Sequence, residues 1–419
     1  MYRQSRNKRK IINDPVHGFI NIPGELIFDL IEHPWFQRLR RIKQLGLTHF
    51  VYPGATHTRF QHALGAIHLM GQAIGIIRSK GMEITDEEAE AVTVAILLHD
   101  IGHGPFSHTL ESGFIENINH EVLSSVIMEK LNVEFKGKLS MALDIFHNVY
   151  PKKFLRQLVS SQLDMDRLDY LKRDSFYTGV TEGVIGSDRI IKMLEVVDDE
   201  LAVEAKGIYS IEKFLIARRL MYWQVYLHKS VLSAEYLLVM LLRRAMELAS
   251  RGEKLFATPS LEFFLYNRFP EGIEQDHLNP AWESIIRNFT LLDDDDILVS
   301  AKVWINHSDK VLSMLCSDFV NRNLYKIQLQ NYPFEEERIG ELRKEVQAFY
   351  KLDMADTRYF VFSESIANNT YSTADERIKI VYRDGTIKDI AEASDILNLA
   401  VLSKEVRKYF LCYPKELAR

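Results

Sequence analysis

Ala91-Val92-Thr93-Val94-Ala95-Ile96-Leu97-Leu98-His99-Asp100 is the stretch whose reading decides the fold. Eight apolar or small residues run straight into an imidazole and a carboxylate, which is not how a solvated helix end is written. Thr85, with Glu88 three residues on, is a capping box, so a buried helix is predicted from there through Leu98. A buried helix that finishes on His-Asp delivers two ligand-type groups to the interior. Imidazole and carboxylate suit Fe, Mn, Zn, Ni or Mg, so a divalent metal ion is expected and its identity stays open.

Three further segments present the same chemistry. Arg59-Phe60-Gln61-His62 opens a Gly/Ala-rich apolar helix running to about residue 78, able to pack closely against neighbours. In Asp164-Met-Asp166-Arg167-Leu-Asp169-Tyr170-Leu-Lys-Arg173-Asp174, positions 166, 169, 170, 173 and 174 share one helix face. Three carboxylates on one face repel in water and make better sense facing cations, a metal, Arg or both. Gly102-His103-Gly104-Pro105-Phe106-Ser107-His108 and Asn119-His120-Glu121 add imidazoles beside the His-Asp pair, suited to acid/base work. Each motif alone has an ordinary structural reading; their coincidence in one helical region points to a metal centre.

Around this centre the chain reads as a folded globular protein of 419 residues, 47% hydrophobic and 26% charged. Ten of its fourteen histidines fall within the first 120 residues, whereas its two cysteines exclude a disulfide framework or a Cys-based zinc site. Net charge is 52 − 58 = −6, which argues against a dedicated nucleic-acid binder; phosphates would be met by local cations or a metal. The basic N-terminal stretch is followed by no apolar run, and no uncharged segment approaches membrane-spanning length, so a cytoplasmic, non-membrane protein is expected.

Helical periodicity dominates the first 330 residues, including amphipathic helices at 25–32 and 34–45 and a long stretch at 210–250 that is interrupted midway. The acidic run at 293–296 reads as a helix start. Beyond about 355 the period becomes 2: strands are expected at 358–363, 378–382 and 408–413, a helix at 391–402, and a hairpin turn at Arg383-Asp384-Gly385-Thr386. The predicted fold is mainly α, a helical domain over 1–335 with its metal-binding core at about 50–180, followed by a small α+β unit over 336–419.

The order His62, His99-Asp100, Asp166 resembles the signature of HD-domain metal-dependent phosphohydrolases. Linked motifs carry the resemblance over roughly residues 10–330 toward the deoxynucleoside triphosphate triphosphohydrolase branch. They are Ile12-Asn-Asp-Pro-Val-His-Gly18, Trp35-Phe-Gln-Arg-Leu-Arg40, Ile42-Lys-Gln-Leu-Gly46, Tyr52-Pro-Gly-Ala-Thr-His-Thr-Arg-Phe-Gln-His62, His99-Asp-Ile-Gly-His-Gly-Pro-Phe-Ser-His108, Asp164-Met-Asp-Arg-Leu-Asp-Tyr170, Tyr226-Leu-His228-Lys229 and Arg322-Asn-Leu-Tyr-Lys326. The resemblance implies an HD helical core in which His62, His99, Asp100 and Asp166 hold the metal. It implies Arg59 on the α-phosphate, His120 as the acid for the leaving 5′ oxygen, Glu111 in the place of the Asp that orients it, and His103 and His108 as phosphate contacts. Gln44 and Leu45 would meet the sugar, Tyr170 and Tyr226 its 2′ position, and Asp174 its orientation. Arg218, and less directly Lys172 or His228, would meet the terminal phosphates.

A regulatory nucleotide is also implied: Lys10, Ile11, Asn13, Gln37 and Arg40 match one site, with Glu32 where the family reads guanine through Asp, and Arg322 and Lys326 match a second. The expected activity is hydrolysis of deoxynucleoside triphosphates to deoxynucleoside plus triphosphate, by a homo-oligomer activated by guanine nucleotide. The alternatives are a phosphatase acting on nucleoside monophosphates or other phosphoesters, and a nucleotide-sensing regulator.

Overall fold

The computed structural model describes residues 10–106, 118–269, 272–368, 377–395 and 406–417. The architecture is mainly helical, with an N-terminal hairpin and two small sheets. At its centre is the helix Asp86–Leu98. Thr85 accepts from the Glu88 amide while the Glu88 carboxylate accepts from the Thr85 amide at 2.8 Å, and every residue from Ala91 to Leu98 is buried. The helix Arg59–Ser79 packs against it on one side and against Met165–Thr178 on the other. Gly65 makes that approach possible: a Cβ there would lie 1.9 Å from Asp169 Oδ1. Only a residue without a side chain leaves room there for the Asp169 carboxylate and the Arg173 guanidinium.

The expected helix at 34–45 is instead one turn, Pro34–Gln37, a 3₁₀ turn Arg38–Arg41 and then extended chain. The chain leaves the helix at Ile42, where the backbone is engaged elsewhere: the Ile42 carbonyl accepts from the Arg59 amide, and the Lys43 and Gln44 amides donate to Asp294 and to the His57 carbonyl. The buried Arg38 guanidinium donates to the carbonyls of Leu292, Ile101 and His103 at 2.8–3.0 Å and lies over the Phe289 ring, so it holds the loop that follows His99-Asp100. Asp293 caps the helix Asp294–Trp304 as the acidic run suggests. Asp294 does more: its buried carboxylate accepts from the amides of Lys43 and Phe106, both at 3.0 Å, fixing two loops near the centre. The stretch at 210–250 divides into Ile208–Met221, a wide π turn Tyr222–Tyr226 and Lys229–Ser250, bent by 57°. No single helix among the described residues is long and apolar enough to cross a membrane.

The C-terminal region is tied into the helical part rather than set beside it. Lys379–Val381 runs parallel to Glu200–Glu204, and Val406–Tyr413 runs antiparallel to both Lys326–Gln330 and Phe362–Asn368. Both sheets thus cross the expected boundary at 335, because strands on each side need the other to complete their ladders. The hairpin at 383–386 forms as read, with Gly385 at φ +83° and Lys379–Val381 paired to Ile387–Asp389. The strand expected at 358–363 begins only at Phe362, since Met354–Tyr359 forms a 3₁₀ turn. Of the helix expected at 391–402, a short piece, Ile390–Ala393, lies among the described residues and residues 396–402 lie outside them.

Candidate metal centre and active-site cavity

Three helices converge to build the centre. Arg59–Ser79 brings His62 from its first turn, the end of Asp86–Leu98 brings His99, and Met165–Thr178, capped by Asp164, brings Asp166. One donor atom from each of His62, His99 and Asp166 lies within 4.8 Å of the others. His62 Nδ1–H donates to Asp169 Oδ2 at 2.8 Å and His99 Nδ1–H to the Ile96 carbonyl at 2.6 Å. These bonds set the tautomer that leaves each Nε2 lone pair facing the gap. Both Nε2 atoms are buried without a hydrogen-bond partner among the described residues, although Asp166 Oδ1 lies 3.0 Å from one and 3.6 Å from the other. Buried nitrogens left unsatisfied beside a carboxylate fit a divalent cation, so the donor set suits the expected metal.

The electrostatics agree. Burial works against a proton on His62, but Asp166 and Asp169 outweigh it and carry its pKa up to about 10. Burial likewise opposes charge on His99, and Asp100 and Asp166 lift it to about 9. Burial would raise Asp166, yet His62 and His99 hold it well below the usual carboxylate range. The gap is therefore a place of strongly negative potential, which a cation relieves without protonating the imidazoles. Asp100 stands at its edge, Oδ1 being 3.3 Å from His99 Nε2, while Oδ2 accepts from Arg59 at 2.6 Å.

The centre opens into a cavity of about 1090 Å³. Its wall includes Arg59, His103, His120, Arg156 and Arg167; the His103 and His120 rings stack with centroids 4.0 Å apart. Gln44, Leu45, Tyr170, Tyr226 and Asp174 line it as well. Asp174 is fixed from both sides, by Tyr226 O–H at 2.7 Å and His57 Nε2 at 2.8 Å.

Comparison with known proteins meets this geometry. The HD domain model matches residues 59–174, and the HD associated region model matches residues 185–258. A phosphohydrolase from Bacteroides thetaiotaomicron VPI-5482, known from its crystal structure, superposes with a TM-score of 0.92 at 58% identity, covering 97% of this chain and 100% of that one. The chain belongs to the HD-domain phosphohydrolases. It is also 32% identical to the uncharacterized protein YwfO of Bacillus subtilis (strain 168), over 98% of this chain and 93% of that protein. It is 34% identical to the deoxynucleoside triphosphate triphosphohydrolase SAMHD1 homolog of Dictyostelium discoideum, over 56% of this chain and 48% of that one. The match to that relative thus spans about half its length. The protein is a metal-dependent phosphohydrolase with a mainly helical fold.

Against the HD pattern, the structure brings His62, His99 and Asp166 together and sets Asp100 beside them. Arg59, His103, His120, Gln44, Leu45, Tyr170, Asp174 and Tyr226 all line the cavity. Arg218 stands just behind this wall, its charge acting on the Tyr170 hydroxyl while it donates to Gln162 at 3.3 Å, and His228 caps the helix Lys229–Ser250 through the Ser230 amide. His108 and Glu111 lie outside the described residues. Of the residues matched to the first regulatory site, Lys10 Nζ sits 4.0 Å over Phe28, Asn13 pairs with Phe19 in the hairpin, Glu32 is exposed, and Arg40 donates to Gln37 at 2.7 Å. Arg322 donates to the Phe50 carbonyl at 2.8 Å and Lys326 lies over Tyr413, each on exposed surface.

The reading of the sequence assigned no role to several residues that hold the centre. Asp169 accepts from His62, from His17 Nε2 at 2.7 Å and from Arg173, and Arg173 in turn reaches Asp14 at 2.8 Å. Asp169 lay on the recognised carboxylate face, but its partners come from 107 and 152 residues away, where no periodicity points. Arg167 and Arg156 were likewise unassigned although they line the cavity.

Proposed function

We propose that this HD phosphohydrolase cleaves deoxynucleoside triphosphates into deoxynucleoside and triphosphate. The observation that carries the reading is one cavity holding both the His62–His99–Asp166 centre and Tyr170, Tyr226 and Asp174, with cationic side chains in the same wall. The distant likeness to deoxynucleoside triphosphate triphosphohydrolases supports the same substrate class. His62, His99, Asp166 and, from the edge, Asp100 would hold the divalent ion. When bound it supplies Lewis-acid polarisation of a phosphoryl oxygen and lowers the pKa of water.

The chain's own groups do the rest. Arg59, already anchored on Asp100, presents a guanidinium to the α-phosphate. Arg156 and Arg167 offer charge to the phosphates beyond it. His120, braced by the stacked His103 ring, gives its proton to the 5′ oxygen as the P–O bond breaks and a water oxygen takes its place on phosphorus. Tyr170 and Tyr226 close on the sugar; the Tyr226 hydroxyl is committed to Asp174 and so held in place, which favours a sugar lacking the 2′ hydroxyl. The cavity suits a whole nucleotide better than a small phosphomonoester.

Product analysis tests the reading. Incubation with each deoxynucleoside triphosphate in Mg²⁺, Mn²⁺ or Fe²⁺ should release inorganic triphosphate, and the corresponding ribonucleotides should react more slowly. Release of orthophosphate in steps would replace this reading with a phosphatase acting from the other end. The regulatory reading belongs to the same proposal: guanine nucleotide bound along Lys10, Asn13, Glu32, Gln37 and Arg40 would join copies of the chain into a more active homo-oligomer, with Arg322 and Lys326 holding a second nucleotide. Mass measurement with and without GTP, alongside the rate, checks it.

A further inference from the structure

The cavity does not end at the sugar-facing wall. It continues between the helix Lys229–Ser250, which contributes Leu232, Glu235, Tyr236, Val239 and Arg243, and the strand Phe362–Asn368, which contributes Glu364 and Ile366. That helix packs on the turn Gly46–Phe50, directly after Gln44 and Leu45, so this end lies on the sugar side of the cavity. Leu232, Val239 and Ile366 give it apolar walls of the kind a flat heterocycle fills. Glu235 keeps part of its surface open to the cavity and is otherwise enclosed. Among the described residues no hydrogen bond or ion pair engages it. Tyr236 and Arg243 of the same helix, Glu364 of the strand, and Tyr222, Tyr226 and Asp174 line the same cavity, but burial alone acts on the Glu235 carboxyl.

We propose that this end of the cavity is a nucleobase subsite in which the enclosed, otherwise unengaged Glu235 carboxyl pairs with the Watson–Crick edge of any of the four bases. The inference rests on the deoxynucleoside triphosphate reading and adds to it which residue meets the base and why the base is tolerated. A neutral carboxyl carries one O–H donor and one carbonyl acceptor, on either oxygen. Every base offers a matching adjacent pair: amino and ring nitrogen in adenine and cytosine, carbonyl oxygen and ring N–H in guanine and thymine. An ionised carboxylate has acceptors only and is matched twice over by guanine alone, through its ring N–H and amino group. Burial without a cationic partner keeps the acid neutral, lifting its pKa to about 8. Base tolerance should therefore hold at neutral pH and give way to guanine preference above pH 8.

The test compares kcat/KM for the four deoxynucleoside triphosphates between pH 6.5 and 8.8, below the range where guanine and thymine lose their own ring protons. The ratio of two substrates at one pH cancels the titration of groups that act on both alike. In the wild type the dGTP-to-dTTP ratio should rise by about fivefold to tenfold across that range, the worth of roughly one hydrogen bond. In Glu235→Gln, whose amide donates and accepts at every pH, it should stay flat. A flat ratio in the wild type, or an unchanged rise in Glu235→Gln, overturns the subsite and leaves the substrate reading standing. Equilibrium dialysis of the four deoxynucleosides at the same pH values separates the reverse case. If no deoxynucleoside triphosphate is hydrolysed, the same Glu235-dependent pattern in Kd upholds the subsite and removes the substrate reading. Failure of every deoxynucleoside to bind overturns the subsite.

Discussion

Asp169 has no accessible surface, yet His62, His17 and Arg173 all donate to it. Burial would push its carboxyl pKa up, but Arg173, His17 and His62 hold it far below the usual range. It thus works as the anchor of the metal centre, fixing the His62 tautomer from behind. Asp169→Asn keeps the shape but removes the charge that balances Arg173, so two effects are expected together. Metal affinity should fall by about 10–100-fold, the usual cost of losing the partner behind a ligating imidazole. Folding stability should fall by up to about 3–5 kcal/mol, because the buried Arg173 cation is left with Asp14 alone as counter-charge. Metal content at fixed free ion and a urea midpoint measure the two separately; unchanged metal affinity with lowered stability would make Asp169 a packing residue only. The ligand trio was legible in the sequence because ligand-type residues at the ends of apolar helices are chemically out of place. The anchor's partners were not, since His17 and His62 reach Asp169 through tertiary contacts that no local pattern encodes.

At the scale of elements, what could be read was what is encoded locally. The capping box at Thr85 and Glu88 and the Asp-Gly turn at 384–385 are short-range hydrogen-bond devices, and both form. The 34–45 helix stops at Arg41 because the backbone of Ile42, Lys43 and Gln44 bonds to Arg59, Asp294 and His57, tertiary partners that override propensity. Two predictions belong here. Gly65→Ala should cost about 1–3 kcal/mol and displace His62 relative to Asp166, since its Cβ would strike Asp169 and the Arg173 guanidinium. A lowered Tm with lost metal binding is expected, and full retention of both would show that the helices can slide apart freely. Glu88 sets a pH dependence. Burial opposes its charge, but Lys152, the Thr85 amide and the Tyr150 hydroxyl hold its pKa below the ordinary 4.5. Its folded pKa is depressed, so the stabilisation is present above pH 4.5 and disappears as pH falls through the folded value. Glu88→Gln should therefore be less stable than the wild type by about 1 kcal/mol at pH 7, and the gap should close at low pH where both side chains are neutral. Denaturation midpoints from pH 3 to 7 measure it; a gap that persists at pH 3 would assign the effect to the cap rather than the charge.

For the whole molecule, the open question is whether the helical part can stand without the C-terminal region. Composition marked a change of period near 355 and suggested a separable unit, but pairing partners far apart in sequence leave no trace in composition. In the structure Ile380, Ile390, Phe410, Leu411 and Cys412 are fully buried and belong to the same hydrophobic cluster as Leu97 and Ile101. Removal of residues 336–419 would strip those side chains, at about 1.5–3 kcal/mol each for the larger ones, against a total stability of about 5–15 kcal/mol. It would also open the edges of Glu200–Glu204 and Lys326–Gln330 and take away Glu364 and Ile366 from the cavity. The loss is comparable with all the stability the molecule has. A chain ending at residue 335 should accordingly fail to give a cooperative unfolding transition and should aggregate through its unpaired strand edges. The intact protein should unfold in a single calorimetric transition, with van't Hoff and calorimetric enthalpies in agreement. Two resolved transitions in the intact chain, or a soluble 1–335 fragment that still binds metal, would mean that the sheets join two units that fold independently. The strand pairings make the opposite case: the segment that closes the sheets also closes the cavity, so folding of the C-terminal region and formation of the complete site should be one event.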